Sequence, residues 1–311
     1  MNDTKASRTA LVTSLMRAVH TRLDRPALIE DPWGDRLVPE AEREALRKLA
    51  VSTLEPEARQ RLEALGSDEA VVHAAFHANP VYGTVIVRTR YAEDALEAAV
   101  ARGARQYVII GAGMDSFALR QPAFAQGVQI FEIDHPSTQE LKRQRVRECG
   151  ISLPDTLHFV PADLSQEDLG TALARSPFHG GQPTFFSWLG VASYLTRSAN
   201  LATLRAVARC AAVDSELVFT YLDQREFDPD RQSEGIQRVR ARVASVGEPF
   251  VSGFDPSQLA SDLRGVGLIL LEDLGGEALR ERYCKGRSDG LSPAATVHIA
   301  RAQVAADRRA V

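Results

Sequence analysis

The most constraining feature of the chain is an alternation that starts at Gln106. Short β-rich runs, "QYVIIG", "VQIFEID", "LHFVPAD", "TFFSWLGV", "ELVFTYLD", "GLILLED" and "ATVHIARA", follow one another with helical segments between them. The runs are nearly all apolar instead of alternating, which suits strands buried on both faces of a parallel sheet. Pro136–Glu148 and Asn200–Ala212 read as covering helices. Asp255-Pro256-Ser257-Gln258 offers an N-cap, a proline at the first helical position and a capping glutamine for another. Such strand–helix alternation predicts an open, doubly wound α/β sheet that takes its ligand at the carboxyl ends of the strands. The first hundred residues differ in texture. Ala10–Leu23, Glu40–Leu65 and "YAEDALEAAVARG" all read as helix, and they predict a cap over that edge.

The strand ends carry the chemistry. "YVIIGAGMDSFALR" runs from a strand into Gly111-Ala112-Gly113 and then toward a helix. Glycines there let the backbone turn sharply and let a ligand lie against it. The third glycine of a dinucleotide fingerprint is missing, because Ser116 occupies its place, and this argues against a bound pyrophosphate. At the end of the next strand Asp134 lies 21 residues beyond Gly113, the spacing at which an acid reaches a ribose hydroxyl. Asp163 and Leu164, at the third strand end, offer an acceptor for an adenine amine and an apolar wall. A close turn, a ribose acid and an adenine acceptor, with no pyrophosphate clamp, match the needs of S-adenosyl-L-methionine.

Taken together, "RTRYAEDAL…YVIIGAGMDSFALR…IFEIDHP…FVPADL…FFSWLGVASYLT" resembles the leucine carboxyl methyltransferase-like family of class I S-adenosyl-L-methionine-dependent methyltransferases, which includes polyketide O-methyltransferases. The resemblance covers about Arg8 to Ala300. It implies a Rossmann-like doubly wound seven-stranded sheet with an antiparallel last strand and a helical N-terminal cap. It also implies S-adenosyl-L-methionine as donor and S-adenosyl-L-homocysteine as product; no metal is expected from the residues. By the same resemblance Arg88 pairs with the methionine carboxylate, and Gly111, Gly113 and Asp115 form the donor loop. Asp134 then takes the ribose, Asp163 and Leu164 the adenine, and Arg17 corresponds to a basic residue that closes over the methionine end. Where leucine carboxyl methyltransferases place a glutamate at the fourth strand end, this chain has Leu189, which cannot accept a hydrogen bond.

The catalytic residue is open. Tyr194 falls near the same mouth, and His73 and His77 share a helix face; as a metal pair the two histidines lack the HExxH glutamate and a third ligand. A carboxylate acceptor needs no base, whereas an alcohol or phenol is helped by one. The expected activity is O-methylation of a small-molecule or peptide carboxylate or hydroxyl, with a place in secondary metabolism. The alternatives are a catalytically inactive S-adenosyl-L-methionine-binding protein and an NAD(P)-dependent oxidoreductase. The 311 residues read as a single domain, with 1–90 as the helical cap and 227–253 as an insertion that helps build the acceptor pocket.

Composition excludes other classes. A net charge of −4 gives no basic footprint for nucleic acid. No apolar run nears the roughly 18–20 residues that span a bilayer. Arg8, Arg17 and Arg22 interrupt the apolar positions of the N-terminus, so a secretory signal is not expected. Cys149, Cys210 and Cys284 are far apart and odd in number, as suits a reducing, cytoplasmic setting.

Overall fold

The computed structural model describes residues 8–64, 66–228, 230, 234–245 and 249–306. Five helices come first: α1 Arg8–Leu23, α2 Glu40–Ser52, α3 Pro56–Glu63, α4 Asp68–His77 and α5 Tyr82–Ala101. The alternating part then runs β1 Gln106–Ile110, α6 Phe117–Arg120, β2 Gln129–Asp134, α7 Pro136–Glu148, β3 Leu157–Pro161, α8 Leu169–Leu173 and β4 Thr184–Trp188. It continues with α9 Arg197–Cys210, β5 Glu216–Leu222, α10 Glu234–Ser245, α11 Leu259–Arg264, β6 Leu268–Leu274, α12 Gly276–Tyr283 and β7 Val297–Val304.

The seven strands form one sheet in the order β3-β2-β1-β4-β5-β7-β6. β1 to β5 pair in parallel, and β7 is antiparallel to both β5 and β6. The strand order reverses between β1 and β4, and open α/β sheets take their ligand in the crevice at such a point. β1, β4 and β5 are buried at every position because helices cover both faces. Apolar residues on the two faces form separate clusters. One joins Tyr107, Ile109 and Phe185 to the N-terminal helices, and the other joins Val108, Phe186 and Phe219 to α9 and α11.

Three readings need correction. Glu40–Leu65 is two helices, because Pro56 restarts the chain as the first residue of α3. Asp255 caps no helix: its Oδ1 accepts from Ser257 N and Oγ in a tight local turn, and α11 starts only at Leu259. The run "GLILLED" is not buried on both faces. As the edge strand β6 it leaves Ile269 and Leu271 exposed. Among the described residues, no single helix is long and apolar enough to cross a membrane.

Candidate functional site

The ends of β1 and β2 are closed by their own backbone. Gly111 N and Ala112 N both donate to Ile133 O, at 2.8 and 3.1 Å. Gly113 N donates to Asp134 Oδ2 at 2.5 Å, and His135 N donates to Oδ1 of the same carboxylate at 2.7 Å. Burial pushes the Asp134 carboxyl above its ordinary range, and these two amides oppose the shift. Gly111 and Gly113 have φ of 71° and 52°, the left-handed region that glycine adopts without strain. A Cβ on Gly111 would lie 2.5 Å from Val191 Cγ2, and one on Gly113 would lie 2.9 Å from Ala10 Cβ. The turn is therefore pressed between the β4 end and α1. Asp115 Oδ1 accepts from Phe117 N at 2.7 Å and so fixes the start of α6.

Asp163 stands beside this turn, since Ala162 N donates to Asp134 O at 2.9 Å. Its Oδ1 accepts from Ser165 N and Oγ, and the Ser165 contacts hold its carboxyl below the usual range. Leu164 packs against the sheet's second core. Arg17, in α1, bridges cap and turn. Its Nε donates to Asp31 Oδ2 at 2.8 Å, and its Nη2 donates to Met114 O at 2.6 Å. Burial alone would raise the Asp31 carboxyl, but the Arg17 and Arg120 guanidiniums, with Ser116, together hold it low.

Arg88 reaches the β4 end from α5. Its guanidinium lies against Gly190, where a Cβ would be 2.3 Å from Nη1. Gly190 has φ of 71°, and its N donates to Thr220 Oγ1 at 2.7 Å. Among the described residues Arg88 has no hydrogen-bond or ion-pair partner. Burial pushes it down to about 10, with Tyr194 acting against that shift and Arg17 with it, so it stays a cation at neutral pH. Leu189, at the position of the expected glutamate, is half-buried and packs against the first core.

A cavity of about 700 Å³ opens beside Arg88. α1 and α2 contribute Val12, Leu46 and Leu49 to its wall, and the 227–253 region contributes Ile236, Val239 and Phe250. Tyr194 also lines it, with its ring 5.2 Å from that of Phe250. No Asp, Glu, His, Cys or Lys is among the described residues that line it. His73 and His77 are not among the residues lining this cavity: both Nε2 atoms turn to the buried Asp24 carboxylate.

The order of motifs along the chain has a counterpart among known proteins. The family model for leucine carboxyl methyltransferase matches residues 10–208. The chain belongs to that family. A Bacillus subtilis relative, "Putative S-adenosyl-L-methionine-dependent methyltransferase YktD", is 30% identical over 298 residues, covering 96% of this chain and 98% of its own. A Mycobacterium tuberculosis relative with the same description is also 30% identical, over 97% of this chain and 81% of its own. Two crystal structures share the fold. One, a DUF574 family protein from Streptomyces avermitilis, has a TM-score of 0.61 at 13% identity, covering 97% of this chain and 99% of that one. The other, described as a putative methyltransferase from Thermobifida fusca, has a TM-score of 0.58 at 12% identity, covering 98% and 97%. As a member of the leucine carboxyl methyltransferase family, the protein is an S-adenosyl-L-methionine-dependent methyltransferase.

Sequence reasoning missed Asp24 and Asp31, which hold the histidines and Arg17, and the buried Glu132–Lys142 pair at 2.5 Å. Beyond the i,i+4 contact of His20, the partners of Asp24 lie 49 to 58 residues away and left no local signal. Glu132 stood in view two residues before Asp134, and strand alternation puts both on one face of β2.

Proposed function

We propose that the chain is an O-methyltransferase, cytoplasmic and acting in secondary metabolism, that methylates a carboxylate or hydroxyl oxygen of a small-molecule or peptide acceptor. In this reading residues 1–311 are one domain, and 1–90 and 227–253 enclose the acceptor. The backbone at Gly111 and Gly113 lies along the donor, with Asp134 on the ribose and Asp163 and Leu164 at the adenine. Asp115 holds the loop near the donor's ammonium, and Arg88 receives the carboxylate. Arg17 keeps α1 closed on the turn from behind.

The observation that carries this reading is Arg88. A guanidinium with no partner among the described residues, beside a cavity whose described lining holds no acid, awaits an anion, and its planar fork fits a carboxylate in bidentate fashion. The donor supplies an electrophilic methyl group and a neutral thioether leaving group. The protein's share is alignment and exclusion of water, and fixing the reactants in line can remove roughly 7–11 kcal/mol of barrier. With no carboxylate or imidazole among the lining residues described, no side chain there is suited to strip a proton from an alcohol at neutral pH. The best-supported acceptor is therefore already anionic, and in this reading Tyr194, which lines the cavity, orients it. Incubation with a methyl-labelled donor and a panel of aliphatic and aromatic acids, phenols and peptide C-termini tests this. Label released as methanol by mild alkali identifies an ester; label that resists alkali on nitrogen, or on no acceptor at all, contradicts the proposal.

A further inference from the structure

The cap holds a second cluster of chemistry, and none of its members lines the cavity. Asp24, at the end of α1, is fully buried and accepts hydrogen bonds from four side chains. His20 Nδ1 at 2.5 Å and Tyr82 Oη at 2.9 Å donate to its Oδ2. His73 Nε2 at 2.5 Å and His77 Nε2 at 2.7 Å converge on Oδ1. His20 has no choice of tautomer: its Nε2 accepts from Leu28 N at 2.8 Å, so its hydrogen is on Nδ1. Burial opposes the charge on Asp24, but the bonds from the three histidines outweigh it and keep the carboxyl far below its usual range. Arg287 and Asp289, whose charges also feel Asp24, are ion-paired with each other.

The two oxygens of Asp24 thus have different work. Oδ2 is held by two fixed donors, and Oδ1 faces two imidazole nitrogens one helical turn apart on α4. His20 and Tyr82 stand to this carboxylate as the outer hydrogen-bond shell stands to a metal-ligating one. The side chains of His73 and His77 are 29% and 15% exposed, which leaves a way in from solvent. Asp24, His73 and His77 each offer a ligand atom, all within 4.8 Å of one another.

We propose that Asp24 Oδ1, His73 Nε2 and His77 Nε2 form a structural site for a divalent transition-metal ion, with zinc the best match, that ties α1 to α4. Two imidazoles, one carboxylate and a water make the tetrahedral set zinc accepts. Ligand atoms at about 2.0–2.1 Å from zinc stand roughly 3.3 Å apart, so each Nε2 has to draw back from Oδ1 by roughly 0.6–0.8 Å. The proton balance closes without release: both imidazoles pass to the Nδ1–H tautomer, and Asp24 is already ionised. The ion takes no part in methyl transfer, since none of its ligands borders the cavity.

The test uses tag-free, chelator-stripped full-length protein, titrated with zinc and separately with cobalt(II). The expected results are one zinc bound per chain, a Tm raised by several degrees, and visible cobalt bands of tetrahedral intensity. His73→Gln with His77→Gln keeps amide donors for Asp24 but removes both imidazoles. This variant is expected to keep the metal-free Tm and lose both the zinc shift and the cobalt bands. If the variant fails to fold, the cobalt spectrum of the wild type decides alone. A Tm indifferent to zinc with no tetrahedral cobalt bands, or a zinc response that survives in the variant, overturns the proposal and leaves a hydrogen-bonded cluster.

Discussion

The ends of β1 to β3 and the helical cap solve the same problem, holding polar groups in fixed places, by opposite means. At the strand ends the donors are mostly backbone amides of the strand-end turns themselves: Gly113 N and His135 N on Asp134, Phe117 N on Asp115, Ser165 on Asp163. In the cap the partners are mostly side chains on different helices, such as Asp24 with His73, His77 and Tyr82. The strand-end contacts lie within the turns, with α1 pressed on them, whereas the cap network spans α1, α4 and α5. Damage to the cap should therefore cost stability, and damage to the rim should cost donor binding.

The largest effect on stability is expected from Asp24→Ala. It strands four buried or half-buried donors, and breaking such a buried network costs roughly 3–5 kcal/mol. Chemical denaturation measures this, and a loss under about 1 kcal/mol would mean that the cap does not hang on Asp24. Gly190→Ala comes next. A Cβ there meets the Arg88 guanidinium, and a non-glycine residue at that φ costs about 1–2 kcal/mol. Donor affinity should fall with it, and calorimetry reads both changes. Asp134→Ala sharpens the contrast from the other side: donor affinity falls about tenfold or more, while Tm moves less than for Asp24→Ala.

The smallest expected effect is one of pH. Burial pushes the Glu132 carboxyl up to about 7; the Lys142 ammonium opposes this, and Glu132 Oε1 is buried without a partner. Its folded value lies above the unfolded 4.5, so the folded state holds more protons between them. The stability contributed by Glu132 is full below about 4.5 and is lost as pH rises to about 7. Glu132→Gln should flatten that slope in Tm against pH. An unchanged slope would place the titration elsewhere.

The same contrast explains what could be read from the sequence. Gly111, Gly113 and Asp134 were legible because a strand end, a turn and a following strand end lie within one βαβ unit at fixed spacing. Arg88 came from resemblance, since nothing in "VRTRYAED" says that its guanidinium will meet Gly190. His73 and His77 were visible as a pair, but their purpose was not. Their partner, Asp24, lies 49 and 53 residues away in a stretch that otherwise reads as the end of a helix. Long-range side-chain convergence leaves no local periodicity to find.

The central claim is that Arg88 is the anion receptor where the donor site meets the acceptor cavity. Binding of S-adenosyl-L-homocysteine and of 5′-methylthioadenosine, which lacks the amino-acid end, should be measured on wild type and Arg88→Ala. Losing a charge-assisted bond of about 1.5–3 kcal/mol should weaken S-adenosyl-L-homocysteine roughly 10- to 100-fold. Methylthioadenosine affinity and Tm should hold, because the substitution removes a half-buried cation that has no partner among the described residues. Equal losses for both ligands, or no loss for either, would contradict the account.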